Sequence, residues 1–164
     1  MVIGIDPSFT STGIAVMECG KLLYSTRVSS DIKIYESITQ CQKAANVILQ
    51  AVKHVVNSYP EADVIVEYPA LATKSGAYLA ILHGYLSSFL NENVEGNVVY
   101  VPPTACDSYT KNHEHSKSFL VQYVKDKGYV ERRVQQDIAT AIIFCELYHA
   151  IQSGKYMNKS FKYE

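Results

Sequence analysis

Several features that mark particular classes of protein are missing from this sequence of 164 residues. Its four cysteines, Cys19, Cys41, Cys106 and Cys145, form no CxxC pair, which excludes the usual zinc sites and the disulfide scaffolds of small secreted domains. No uncharged apolar run reaches the roughly 18 residues of a membrane span. The opening segment has an acid in its first apolar run and no basic lead-in, unlike a signal peptide. We therefore expect a cytoplasmic protein with reduced cysteines and no membrane partner.

An excess of one charge is also absent, because 15 lysines and arginines are balanced by 16 aspartates and glutamates. Such a chain has no overall field that attracts a polyanion, so any nucleic-acid binding must use a local basic surface. Hydrophobic residues make up 48% of the chain, which excludes a disordered chain and predicts a sizeable core. Since no repeat, low-complexity tract or linker divides the sequence, we predict one domain over residues 1–154 and a polar tail over 155–164.

The hydrophobic pattern predicts an α/β fold. Strand patterns occur five times, over residues 2–5, 12–17, 21–28, 62–67 and 97–101. Helical patterns occur four times, over residues 34–58, 75–90, 116–127 and 134–151. The first three strands follow one another directly, whereas the later strands are separated by helices. This order predicts a mixed five-stranded sheet with an antiparallel start and flanking helices.

Three acids lie on elements that such a fold can bring together. Asp6 ends the first strand and Glu67 ends the fourth, so their carboxylates lie side by side if these strands are neighbours. Asp137 lies in the first turn of the last helix, among small residues that allow close packing. Each acid alone also suits an ordinary role, as a turn residue, a strand end or a partner of the helix dipole. Together they indicate a site for hard Mg²⁺ or Mn²⁺ ions, as two-metal phosphodiester hydrolysis requires.

Three segments together resemble the RuvC-type Holliday junction resolvases, a family with the ribonuclease H-like fold. IGIDPSFTSTGIAV at residues 3–16 is similar to the family's opening, and VIVEYP at 64–69 is similar to the strand with its second acid. DIATA at 137–141 resembles the family's closing Asp-x-Ala-Asp-Ala helix. The resemblance spans residues 2–151 and is closer to phage or viral members, which implies the cytoplasm of a bacterial host if a phage encodes the protein.

The resemblance implies a metal-dependent endonuclease, usually a homodimer, that nicks four-way or other branched DNA junctions in recombination or repair. Asp6, Glu67 and Asp137 would hold Mg²⁺, with Mn²⁺ as a substitute. One metal ion would activate the attacking water, and the other would stabilise the leaving 3′ oxygen. Lys117, at the start of a helix where the family carries a lysine, would neutralise the scissile phosphate. The second predicted helix is the expected dimer face.

The last helix departs from the family pattern at one position. The second of its two acids is replaced by Thr140, a neutral residue and a poor ligand for a hard cation. A second register aligns Asp137 with that second acid and leaves Val134 at the first, so one acid is missing in either register. Glu146 and His149 lie too far along the helix to replace it. The departure leaves open an alternative, a protein of the same fold that binds junctions but cuts them weakly or not at all.

Basic residues near these acids are candidate phosphate contacts. Lys111 and His115 precede the third predicted helix, and Arg132 and Arg133 precede Asp137. We predict that these residues contact DNA, since a nearly neutral chain needs such a local basic surface.

The loop after the fourth strand carries the other candidate DNA contacts. Tyr68 and Leu71 are expected to stack on bases or wedge between them, and Lys74 is expected to meet a phosphate.

A different fold also begins with a strand followed by aspartate, the phosphate loop of sugar kinases and actin. In this sequence Pro7 and Ser8 replace the glycine-containing turn of that loop. A chain of 164 residues also leaves no room for two lobes, so a nucleotide-binding fragment of that kind is not predicted.

Overall fold

In the computed structural model, the described residues are 1–32, 37–69, 76–131 and 134–156. The strands are β1 (Val2–Asp6), β2 (Thr12–Glu18), β3 (Lys21–Val28), β4 (Asp63–Glu67) and β5 (Val98–Val101). The helices are α1 (Ile38–Ser58), α2 (Gly76–Asn93), α3 (Ala105–Thr110), α4 (Lys117–Asp126) and α5 (Gln136–Gln152). None of these helices is both long enough and apolar enough to cross a membrane.

The five strands form one mixed sheet in the order β3-β2-β1-β4-β5. β1 pairs antiparallel with β2, and β2 pairs antiparallel with β3. β4 pairs parallel with β1 and with β5, so β1, β4 and β5 all run in the same direction. The predicted α/β class and the mixed five-stranded sheet with an antiparallel start are confirmed.

Both faces of the sheet are covered by helices. Successive side chains of a strand point to opposite faces, so Ile3 and Ile5 pack in one buried cluster with α1 and α2, whereas Val2 packs in a second with α3, α4 and α5. Because the central strands are buried on both faces, they appear in the sequence as nearly continuous apolar runs.

The fit of α5 on the sheet depends on two glycines. A Cβ atom at Gly4 would lie 2.1 Å from the carbonyl oxygen of Ala141, and one at Gly13 would lie 2.0 Å from the carbonyl oxygen of Asp137. Only glycine allows the backbones to approach so closely. The first turn of α5 therefore packs directly against β2, at the point where β2 pairs with the end of β1.

Replacing Gly13 by alanine is expected to destabilise the fold by about 1–3 kcal/mol or more, because the new methyl group clashes with the α5 backbone. Equilibrium urea unfolding measures this loss. The control is Gly84→Ala in α2, where an added Cβ meets no atom of the same chain within 4 Å; because α2 is the expected dimer face, both curves are recorded at a concentration that keeps the chain monomeric. That variant should be as stable as the native chain or slightly more stable. Equal effects of the two substitutions would contradict the described packing of α5.

One helix was not predicted from the sequence. α3 covers only the six residues Ala105–Thr110, too few to establish a period of 3.6 residues, and the sequence analysis placed no element there. A second difference lies at α1, which begins at Ile38 because the Ser37 side chain accepts a hydrogen bond from the backbone N–H of Gln40.

Candidate active site

Two acids end neighbouring parallel strands. β1 and β4 pair with Ile5 opposite Val66, so Asp6 and Glu67 follow at the same edge of the sheet. Glu67 in turn lies opposite Val101, the last residue of β5. The carboxyl ends of three parallel strands therefore meet here, the usual place for a ligand in an α/β sheet.

A cleft of about 350 Å³ opens at this edge. The acids Asp6, Glu67 and Asp137 line it, together with Lys117 and Thr140. Asp137 comes from the first turn of α5, and Lys117 is the first residue of α4. The structure thus brings all four residues that the sequence analysis assigned to catalysis into one cleft.

Burial and mutual repulsion make this group of carboxylates costly to ionise. Burial is the main cause that raises the pKa of Asp6 well above its usual range, and the negative charges of Glu67 and Asp137 add to it. A hydrogen bond from Thr140 and the positive charge of Lys117 act in the opposite direction. Burial also raises the pKa of Glu67 to about 7. A bound cation would relieve this repulsion, and carboxylate oxygens are the ligands that hard divalent ions prefer.

The high pKa of Glu67 makes the stability of the metal-free protein depend on pH. Its folded pKa of about 7 exceeds the ordinary value of 4.5, so its contribution is complete below about pH 4.5 and is lost as pH rises through 7. With EDTA present, Glu67→Gln should therefore become more stable relative to the native chain, by about 2 kcal/mol, between pH 5 and pH 8. Urea unfolding at the two pH values measures the change. A stability difference that is the same at both would contradict the burial of this carboxylate.

Asp137 is held by a hydrogen-bonded group that the sequence analysis did not identify. The Ser11 hydroxyl donates a hydrogen bond to Oδ2 of Asp137. Nε of Arg27 donates to Oγ of Ser11 at 2.6 Å, and Nη2 of Arg27 donates to the carbonyl oxygen of Thr10 at 3.2 Å. In the part of the chain that the structure describes, no three acidic, histidine or cysteine side chains are gathered closely enough to hold an ion. Asp6, Glu67 and Asp137 therefore line one cleft without forming a closed ligand set in this structure, in which Asp137 is hydrogen-bonded to Ser11.

The position of Thr140 distinguishes the two possible alignments of the last helix with the family's Asp-x-Ala-Asp-Ala pattern. Thr140 is 5% exposed, and its hydroxyl lies close enough to hydrogen-bond to Asp6, although it also lies 3.2 Å from the carbonyl oxygen of Gln136. A hydroxyl donates to only one acceptor at a time, so these two bonds are alternatives. Val134 precedes α5 and is not among the residues that line the cleft. The geometry therefore favours the register in which Asp137 is the first acid and Thr140 replaces the second.

The sequence matches no known family model and no curated protein sequence. Solved structures nevertheless share its fold. The RuvC protein of T. thermophilus in complex with a Holliday junction substrate superposes with a TM-score of 0.70 at 20% identity, over 94% of each chain. The chain has the RuvC fold. Thermus thermophilus RuvC in another structure gives a TM-score of 0.70 at 19% identity, over 93% of this chain and 96% of that one.

A viral protein extends the comparison. The Fowlpox virus resolvase, solved with its substrate Holliday junction DNA, superposes with a TM-score of 0.50 at 15% identity, over 90% of this chain and 97% of that one. The RuvC fold therefore accounts for nearly the whole chain. The ribonuclease H-like architecture expected from the resemblance is confirmed.

Within the RuvC fold, this cleft holds an acid that the sequence analysis missed. Asp107 lies on α3, shortly after the end of β5, and lines the cleft beside His115. A signal for it existed, because β5 is the third parallel strand to end at this edge and Asp107 is the first acid after it. Cys106, the residue before it, is buried, and burial raises the pKa of its thiol, so it is an inert core residue.

The predicted DNA contacts are only partly within the described residues. His115 lines the cleft, and Tyr68, which is 43% exposed, directly follows Glu67. Lys111 is exposed at the end of α3 in a left-handed conformation with φ of 60°. The remaining candidates, which lie outside the described residues, are Leu71, Lys74, Arg132 and Arg133.

Proposed function

We propose that this chain is a metal-dependent, structure-selective endonuclease that nicks four-way and related branched DNA junctions. The observation that carries the proposal is the cleft in which Asp6, Glu67, Asp137 and Lys117 meet at the ends of parallel strands. Two proteins that share the fold, from T. thermophilus and Fowlpox virus, were solved with Holliday junction DNA. The fold supports the substrate class, and the acids support the chemistry.

In this proposal Asp6, Glu67 and Asp137 hold Mg²⁺, for which Mn²⁺ can substitute. The bound metal would supply an activated water and stabilise negative charge on the leaving 3′ oxygen. Lys117 supplies a positive charge to the scissile phosphate from the first turn of α4, close enough to Asp6 to lower the pKa of that carboxyl. The Ser11 hydroxyl, which accepts a hydrogen bond from Arg27, orients the Asp137 carboxylate that lines the cleft.

A second copy of the chain is part of the proposal, because a four-way junction offers two equivalent strands and a twofold dimer matches that symmetry. α2 is the proposed interface. A groove of about 860 Å³ lies between α1 and α2, and its α2 side includes Ala80, Ile81, Gly84 and Phe89. Small and apolar residues of this kind allow a helix from a partner to pack closely.

DNA binding is proposed for the residues around the cleft. Tyr68 would stack on a base at the junction, while Lys111 and His115 would contact phosphates. Leu71, Lys74, Arg132 and Arg133 are proposed contacts from the sequence alone.

The test uses a labelled synthetic four-way junction and a linear duplex of the same sequence, each with Mg²⁺, Mn²⁺ or EDTA. The expected result is nicks in the junction only, in opposed strands, and only with metal. Equal cutting of the duplex would remove the claim of structure selectivity.

Two observations favour a second candidate function, a junction-binding protein that cuts weakly or not at all. Thr140 replaces an acid, and Asp137 is hydrogen-bonded to Ser11. A gel shift of the junction without nicks in any metal would support this alternative and overturn the nuclease.

A further inference from the structure

We propose that His115, oriented by Asp107, is a further catalytic residue of this cleft and donates a proton to the leaving 3′ oxygen. This inference rests on the proposed endonuclease function. It assigns a role to an acid and a histidine that lie outside the metal-binding carboxylates.

The contact between the two side chains is short and well defined. Nδ1 of His115 lies 2.7 Å from Oδ2 of Asp107, and both residues line the cleft. The Asp107 side chain is 19% exposed, while that of His115 is 68% exposed. A partly buried carboxylate thus fixes the ring through Nδ1 and leaves Nε2 as the nitrogen available to a substrate.

The loop that carries His115 is built around a buried asparagine. Asn112 is 3% exposed, and its Nδ2 donates to Oδ1 of Asp107 at 2.6 Å and to the carbonyl oxygen of Ser116 at 3.1 Å. Its Oδ1 accepts a hydrogen bond from the backbone N–H of Ser116 at 3.2 Å. Asn112 therefore ties Asp107 to the residue just before α4, so the carboxylate that orients His115 is itself held in place.

His115 has a backbone conformation that costs energy. Its φ is 52°, in the left-handed region that residues other than glycine seldom occupy. Such residues persist where the surrounding structure holds them, and they concentrate at functional sites. Here the left-handed turn places the ring at the cleft immediately before the N-terminus of α4.

The charged groups that line the cleft with His115 are of both signs. The carboxylates belong to Asp6, Glu67, Asp107 and Asp137, and the ammonium group belongs to Lys117. In this proposal His115 faces the leaving 3′ oxygen, on which negative charge develops, beside Lys117 and on the side of the cleft formed by α3 and α4. Thr140 supplies no carboxylate to a metal, so the metal would stabilise the negative charge on the leaving 3′ oxygen less well. Protonation of that oxygen by His115 compensates for the loss.

The step balances as an ordinary hydrolysis. The oxygen of water attacks phosphorus and gives up one proton to solvent, and the bond between phosphorus and O3′ breaks with its electron pair going to O3′. O3′ takes the proton from Nε2 of His115, which leaves a 3′ hydroxyl and a 5′ phosphate. His115 then regains a proton from solvent, and nothing is oxidised or reduced.

Single-turnover nicking of a four-way junction across pH 5.5–9 tests the role. The main variant is His115→Asn, because asparagine tolerates the left-handed conformation but cannot act as this acid. We expect nicking to fall about 10²-fold or more and the basic limb of the native pH–rate profile to be absent from the variant. Junction affinity without metal, to which His115 adds one phosphate contact, should fall far less than the rate of nicking. In His115→Gly, added imidazole should restore part of the rate.

Two further variants complete the test. Asp107→Asn should slow nicking by about tenfold and alter the pH profile, since the ring loses the carboxylate that orients it through Nδ1. The matched control is His113→Ala, which removes an exposed histidine that does not line the cleft and should nick like the native chain.

The outcomes separate the two proposals. Native protein that nicks, together with His115→Asn at the native rate and pH profile, would overturn the role of His115 alone. A variant that binds the junction weakly but cuts the bound junction at the native rate would reduce His115 to a phosphate contact, which also overturns it. Native protein that never nicks would overturn the endonuclease and this inference together.

Discussion

Asp6→Asn is expected to abolish nicking of a four-way junction, with a loss of at least about 10³-fold, while binding of the junction should stay within about threefold of the native affinity. The Asp6 carboxylate interacts with Glu67, Asp137, Thr140 and Lys117. Asparagine has nearly the same shape but lacks the negative charge that a divalent cation requires. Binding persists because the proposed DNA contacts around the cleft, Tyr68, Lys111 and His115, keep their side chains.

Single-turnover cleavage and gel shift, measured on the same preparation, check both parts of this expectation. Asp126→Asn is the matched control, since Asp126 is an exposed acid on α4 that accepts a hydrogen bond from Gln122. That variant should cut at the native rate. Undiminished nicking by Asp6→Asn would remove the proposed metal site.

Thr140→Asp restores the acid that the last helix lacks, and it should lower the Mg²⁺ concentration needed for half-maximal nicking by about 10–100-fold. Thr140 is buried and already lies within hydrogen-bonding reach of Asp6, so a carboxylate there can join the same ligand set. Without metal the added charge has the opposite effect, because a further buried anion next to Asp6 destabilises the fold.

The measurement is a Mg²⁺ titration of single-turnover nicking, paired with thermal unfolding in EDTA and in Mg²⁺. Thr140→Asn is the control of similar shape without the charge, and it should show neither the gain in metal affinity nor the loss of metal-free stability. If Thr140→Asp needs as much Mg²⁺ as the native chain, position 140 does not point at the metal.

The sheet and the first two acids could be predicted from the sequence because they depend on local patterns. An apolar run that ends in an acid shows where a strand ends, and neighbouring parallel strands then place Asp6 and Glu67 together. The position of Asp137 at the start of a helix could also be predicted. Its distance from the sheet could not be predicted, because that distance depends on the contact of Gly13 with the α5 backbone.

The rest of the site depends on contacts between distant segments. Ser11 donates a hydrogen bond to Asp137, which lies 126 residues later in the sequence, and no local sequence pattern predicts such a contact. Asp107 was missed because α3 is too short for a helical period, and without α3 nothing placed it beside His115. His115 was predicted as a DNA contact, and only the structure shows which carboxylate orients it.

We propose that Asp6, Glu67 and Asp137 together hold the metal ion with which this chain cleaves DNA. Anomalous diffraction from crystals of the protein with junction DNA and Mn²⁺ tests it most directly. We expect a manganese peak between these three carboxylates, with the scissile phosphate beside Lys117. A fully bound junction with no manganese at these acids, or manganese bound elsewhere in the cleft, would contradict it.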